Sequence, residues 1–272
     1  MGTRVHPTAV VDRRALLGEG VEVGAYSVVH GGAVIGDGCI LHNHVTVYGG
    51  VTMGRENVLY PHSVLGADPQ DLKYRRGDTT LVIGDGNKFR EGTTVHRGTE
   101  VGGGVTRIGS AGLFMVGAHI AHDCAIEDHV VIANGTMLGG HCLVESGAGI
   151  GGAVGVHHFV TVGALSFIGG MSRVTRDVPP YVVVEGAPAE PRSVNTTALG
   201  RSGWSVQESD AMKEAFRVLF EQDGATSDRI AALRADPRRG ASVLRLCDAL
   251  ERTGRGVYGR WRQAEHDASR GG

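Results

Sequence analysis

Written in sixes, the stretch Ile108–Val144 reads IGSAGL FMVGAH IAHDCA IEDHVV IANGTM LGGHCL V. Each block opens on a large apolar residue: Ile108, Phe114, Ile120, Ile126, Ile132, Leu138, Val144. The spacing continues through Ile150, Val156, Val162, Ile168 and Val174. Upstream it runs without a miss from Val5 through Val11, Leu17, Val23, Val29, Ile35, Leu41, Val47, Met53 and Leu59 to Leu65. It returns at Ile83, Phe89 and Val95, then slips by one. Four residues after each anchor the side chain is small, as at Ala118, Cys124, Val130, Thr136, Cys142 and Ala148. A helix repeats at about 3.6 residues and a strand at about 2. A period of six with one large and one small inward residue marks a parallel β-helix.

Three such hexapeptides close one triangular coil, and coils stack at about 4.8 Å. Residues 18 apart then lie one above the other. The fold expected is an all-β parallel β-helix over 1–190, followed by a helical domain over 191–272. The 44 glycines fit the corners, where the chain must turn tightly. Two segments break the repeat and are expected as extruded loops: 67–81, reading ADPQDLKYRRGDTTL, and 98–107, reading GTEVGGGVTR. Long loops on a rigid solenoid usually carry function. Asp177-Val-Pro-Pro-Tyr181 is read as the end of the β pattern. Ser205 with Glu208 forms a capping box. Met212, Ala215, Phe216, Leu219 and Phe220 give a helical stripe. Further helices are expected near 227–234 and 241–252, with the last ten or so residues frayed.

The net charge of −2 gives no electrostatic reason to expect nucleic acid or an anionic membrane as partner. No apolar run approaches the roughly 18 residues of a membrane span. The first residues, MGTRVHP, carry no apolar h-region, which points to the cytoplasm. Cys124 and Cys142, 18 apart at the inward small position, are expected to touch as reduced, buried thiols.

The chemistry gathers on His119-Ile-Ala-His122-Asp123. Ile120 is an inward anchor, so His119 and His122 point outward or sit at corners. Stepping by 18 puts His122, Gly140 and His158 in one column and Asp123 against His141 in the next. A histidine beside a glycine backbone suits a general base with an oxyanion donor. A zinc site of the γ-carbonic anhydrase kind needs three histidines, two of them five apart. No two histidines here have that spacing, so no catalytic metal is expected.

Several stretches together are more specific than the repeat: Val5-His-Pro-Thr-Ala9, Gln70-Asp-Leu-Lys-Tyr74, His96-Arg-Gly-Thr99, Ala118-His-Ile-Ala-His-Asp-Cys124, Gly140-His141, Asp177-Val-Pro-Pro-Tyr181 and Val194-Asn195. Over about the first 200 residues the chain resembles the UDP-N-acetylglucosamine O-acyltransferases of lipid A biosynthesis, and its tail fits them in length and place. The resemblance implies a left-handed β-helix, a homotrimer with active sites between subunits, an acyl carrier protein thioester as donor, a UDP-sugar as acceptor, and no cofactor. The implied reaction moves a (3-hydroxy)acyl chain to the sugar 3-hydroxyl. It also implies His122 as general base, Asp123 as its neighbour and Gly140 as oxyanion donor. Asp71 and Lys73 match contacts to the acceptor. His119, His141 and His157 match other pocket positions, Asn195 and Arg201 positions near the nucleotide and pantetheine, and Gly170 the position that sets chain length. Arg75, Arg76, Arg173 and Arg176 could steer an acidic carrier protein.

The sequence also departs from that family. His158 stands beside the donor chain where a glutamine is expected, and Thr197 near the nucleotide where an acidic residue is expected. Phe167 and Gly117 replace a methionine and an asparagine. An acceptor with a 3-amino group, giving an amide, is the alternative these departures leave open.

Overall fold

The computed structural model describes residues 2–270. Two-residue strands wind into a prism whose three faces are parallel sheets. The first face has eleven strands, starting at Arg4–Val5 and ending with Phe167–Ile168, Val182–Gly186 and Ala189–Val194. The second has nine, from Val10–Val11 to Arg173–Val174. The third has eight, from Leu16–Leu17 to Thr161–Val162. In each short strand the anchor points in: Leu41, Leu59, Phe89, Phe114, Ile132 and Ile150 are fully buried. Phe89 and Phe114 stack on neighbouring coils, ring centroids 4.8 Å apart. All four cysteines are buried and unpaired by disulfides.

Away from the loops the register is 18, as Ile120↔Leu138 and Ile132↔Ile150 show. Across the first loop it becomes 30, with Leu65 opposite Val95 and Met53 opposite Ile83. The extra 12 residues are two whole hexapeptides, so the period of six survives the insertion. Across the second loop it becomes 25, with Phe89 opposite Phe114. That is why the anchors slip by one. The rule that residues 18 apart are neighbours fails wherever a coil carries a loop.

Two other expectations change. The Asp177–Tyr181 segment does not end the sheet, because Val182–Gly186 pairs in parallel with Phe167–Ile168 and turns back as an antiparallel hairpin to Val194. Helices begin at Thr196–Arg201 (α1) and continue with Val206–Phe216 (α2), a π turn over Arg217–Glu221, Thr226–Ala235 (α3) and Ala241–Arg255 (α4). The Ser205–Glu208 capping box forms, with Ser205 Oγ accepting from Glu208 N–H at 3.2 Å and Glu208 Oε2 from Ser205 N–H at 2.8 Å. The described part of the tail is helical where fraying was expected: Trp261–Arg270 forms a fifth helix, α5, and residues 271–272 lie outside the described residues. The helix has no apolar stripe long enough to read from sequence. Trp261 anchors it to the prism instead, its indole donating to Thr161 Oγ1 at 3.1 Å.

Candidate active site

Asp123 occupies the corner between the second and third faces in the left-handed region, φ 59°, with His141 directly above it at φ 63°. Asp and His tolerate this conformation better than most residues. The Asp123 side chain is fully buried under the second loop. Thr99 on that loop grips it twice, through N–H to Oδ1 at 2.9 Å and Oγ1–H to Oδ2 at 2.6 Å. His122 Nδ1–H donates to the same Oδ2 at 2.8 Å. Burial pushes the Asp123 carboxyl up, but these hydrogen bonds outweigh it and hold it below the usual carboxylate range. Donation from Nδ1 fixes the tautomer: His122 Nε2 faces outward as an acceptor.

Gly140 lies against that ring, and a Cβ there would come within 2.6 Å of His122 Cε1. No backbone or side-chain acceptor takes the Gly140 N–H among the described residues. His141 Nε2 sits 3.8 Å from Asp123 Oδ2, too far for a hydrogen bond. Burial lowers its pKa to about 4, so it is neutral. Ligand atoms of His122, Asp123 and His141 lie within 4.8 Å of one another. The carboxylate, however, already accepts three hydrogen bonds and the His122 nitrogen facing it carries a proton. This geometry suits a base and its orienting carboxylate better than a metal cage.

A cavity of about 500 Å³ opens on the second face over this corner, and His119, His122, Gly140, His157 and Arg173 line it. The first loop delivers Gln70 to it; Asp71 and Lys73 do not reach its wall. Asp71 instead accepts from Lys73 N–H at 2.9 Å, and Lys73 is exposed. His119 is held by Thr94, Oγ1 to Nδ1 2.8 Å. Burial and the nearby His122 lower its pKa. His158 is exposed and off this wall, its ring 3.8 Å from that of His157.

A second cavity of about 790 Å³ lies on the first face, between Val131, Phe167 and Val183 of the sheet and Asn195, Thr197 and Arg201 at helix α1. Asn195 caps that helix, its Oδ1 accepting from Ala198 N–H at 3.2 Å. The Phe167 ring covers Gly149, where a Cβ would meet it at 3.0 Å. Gly170 sits at the corner between the first and second faces, with only Gly152 backbone atoms near it. The candidate residues thus divide between two faces of one prism.

The model for bacterial transferase hexapeptides (six repeats) matches residues 14–49 and 32–67, and that for UDP-N-acetylglucosamine O-acyltransferase, domain 2, matches 177–258. An acyl-[acyl-carrier-protein]–UDP-N-acetylglucosamine O-acyltransferase of Anaeromyxobacter dehalogenans is 50% identical over 232 residues, 85% of this chain and 90% of that one. Its namesake from Paraburkholderia phymatum is 43% identical over 94% of this chain and 99% of its own. The chain belongs to this O-acyltransferase family. Among solved structures, the UDP-N-acetylglucosamine O-acyltransferase of Moraxella catarrhalis superposes with a TM-score of 0.86 at 36% identity, covering 90% of this chain and 95% of that one. The Acinetobacter baumannii enzyme gives 0.87 at 35% identity, covering 91% and 96%. The β-helix is the left-handed one of this family.

Thr99 and Gln70 both stand in the stretches that carry the resemblance, but neither had a role assigned from sequence. Thr99 lies 24 residues from Asp123, on the loop that breaks the register, so counting by 18 could not pair them. The available signal was the hydroxyl itself, on a loop leaving the coil just before the Asp123 corner.

Proposed function

We propose that this chain transfers a (3-hydroxy)acyl group from acyl carrier protein to the 3-hydroxyl of UDP-N-acetylglucosamine, the first step of lipid A biosynthesis. The observation that carries this reading is the relay Thr99–Asp123–His122 beside the free N–H of Gly140. Nε2 of neutral His122 takes the proton of the sugar hydroxyl as its oxygen attacks the thioester carbonyl. The carbonyl electrons move to the oxygen, which the Gly140 N–H stabilises. Collapse breaks the C–S bond, and the imidazolium returns its proton to the leaving thiolate. A positioned base contributes roughly 10²–10⁴-fold, and one oxyanion donor about 3 kcal/mol. The thioester supplies the driving force, so this step calls for no cofactor.

The division of residues between two faces supports a homotrimer with shared sites. His122 and Gly140 face one way; Asn195, Arg201 and Phe167 face another. In a rotational ring the second face of one subunit meets the first face of the next. The catalytic corner of one copy then closes against the nucleotide-binding helix of its neighbour. No helix among the described residues is long and apolar enough to cross a membrane, in keeping with a cytoplasmic site of action.

The test is an assay with acyl carrier protein thioesters and UDP-sugars, with product mass measured. His122→Ala is expected to lose at least about 100-fold in kcat while remaining trimeric. A variant keeping a tenth of the wild-type rate would remove His122 as base. Preferred acylation of a 3-amino acceptor would change the substrate and leave the site intact.

A further inference from the structure

Helix α5 begins beyond residue 258, where the acyltransferase domain match ends. Its start is pinned to the last coils. Buried Asp177 accepts from Thr161 N–H at 2.7 Å and Trp261 N–H at 3.0 Å. Arg260 donates to the Thr175 carbonyl at 2.7 Å. Five residues on from Trp261, His266 comes down beside the catalytic corner. Its ring centroid is 4.9 Å from Phe159 and 5.3 Å from His141. Phe159 in turn stacks flat on His141 at 4.3 Å, interplanar angle 3°. His266 Nε2 is buried with no hydrogen-bond partner among the described residues.

We propose that α5 is the back wall of the active site and that His266 is a positioning residue, closing the His141–Phe159 stack so that Asp123 serves His122 alone. The inference rests on His122 being the base. Asp123 carries one negative charge with two imidazoles in reach. A proton on His141 would draw the carboxylate towards it and weaken its hold on His122. Burial is the main force keeping that proton off. Asp123 favours the charged form of His141, whereas His122, His266 and Arg262 oppose it. Two of those three opposing groups belong to α5, as does part of the cover. A helix that reads as a trailing end therefore controls which imidazole competes for the catalytic carboxylate.

The experiment follows the His141 Cε1–H resonance through a pH titration of the full-length protein, with carbon-13-labelled histidine, alongside kcat against pH. His266→Ala is expected to raise the His141 midpoint by about one pH unit and to move the acid limb of kcat upward, with KM unchanged. His266→Phe keeps a ring on Phe159 and is expected to restore both. A His141 midpoint unchanged in His266→Ala overturns the proposal, as does a lowered kcat with an unshifted limb. Activity surviving in His122→Ala sinks the base assignment independently of where His141 titrates.

Discussion

Gly140 lies against the imidazole of His122 so closely that it has no room for a methyl group, which would meet Cε1 at 2.6 Å and Nε2 at 2.8 Å. The glycine is required by its neighbour's ring and not by a strained turn. Gly140→Ala is therefore expected to push the ring off its line to Asp123 and to obstruct the amide beside it. The expected loss is at least about 100-fold in kcat, with little change in melting temperature, because the displaced ring borders a cavity and not the core. Wild-type kcat in this variant would show that neither the ring position nor the amide matters.

Thr99 determines how firmly Asp123 is aimed. Thr99→Val keeps the backbone N–H bond and most of the side-chain volume, and deletes only the 2.6 Å hydroxyl bond. A hydrogen bond to a charged group contributes about 1.5–3 kcal/mol. We expect kcat to fall roughly 10- to 100-fold and KM for both substrates to hold. A raised KM with kcat intact would place Thr99 in substrate binding instead.

The fold was legible because an inward anchor every sixth residue is a packing constraint that each coil repeats. The column joining His122 to Gly140 followed from the same arithmetic, since no loop intervenes between them. The relay behind Asp123 did not, because Thr99 reaches it from a loop that breaks the count. Helix α5 escaped for another reason. In WRQAEHDASR only Trp261, Ala264 and Ala268 are apolar, too few and mostly too small to mark a buried face. What holds it is a buried Asp–Trp contact across 84 residues, which no local pattern records.

The first loop brings Gln70 to the cavity wall and leaves Lys73, three residues further along the loop, exposed. An exposed lysine near an open site suits a phosphate or hydroxyl of the acceptor better than a chemical step. Lys73→Ala is expected to raise KM for the nucleotide sugar by more than it lowers kcat. If KM is unchanged, the loop's contribution falls to Gln70, and Gln70→Ala becomes the variant that moves it.

Stability should fall on the acid side of about pH 6.5. His96 and His141 are both lowered to about 4, chiefly by burial. Their neutral forms contribute stability above the unfolded value of about 6.5, lost as pH drops towards 4. Asp177 opposes them. Burial raises its carboxyl to about 6, so its contribution is full below the unfolded value near 4 and lost as pH rises through 6. Between pH 4 and 6 the histidines, with His119 and His158 lowered by burial as well, outweigh one aspartate, so stability falls as the pH drops. Asp177→Asn removes the opposing group and should steepen the fall in melting temperature. An unaltered slope would mean that Asp177 is ionised in the folded protein.

Acyl-chain preference should answer to Phe167 and Gly170. Phe167 lies over Gly149 and is 40% exposed at the edge of the first-face cavity. Gly170 has no side chain at the neighbouring corner, and an added methyl carbon would meet the Gly152 carbonyl oxygen at 3.3 Å, a close contact. In a ring of subunits a chain leaving the His122 corner would run between two faces towards that corner. Each buried methylene contributes about 0.8 kcal/mol, close to fourfold in affinity, so a side chain in its path discriminates sharply. Gly170→Met is expected to shorten the preferred chain by several carbons, and Phe167→Ala to lengthen it. Competition among carrier proteins bearing chains of graded length reads both shifts. A preference identical in wild type and both variants would put the end of the acyl groove elsewhere on the prism.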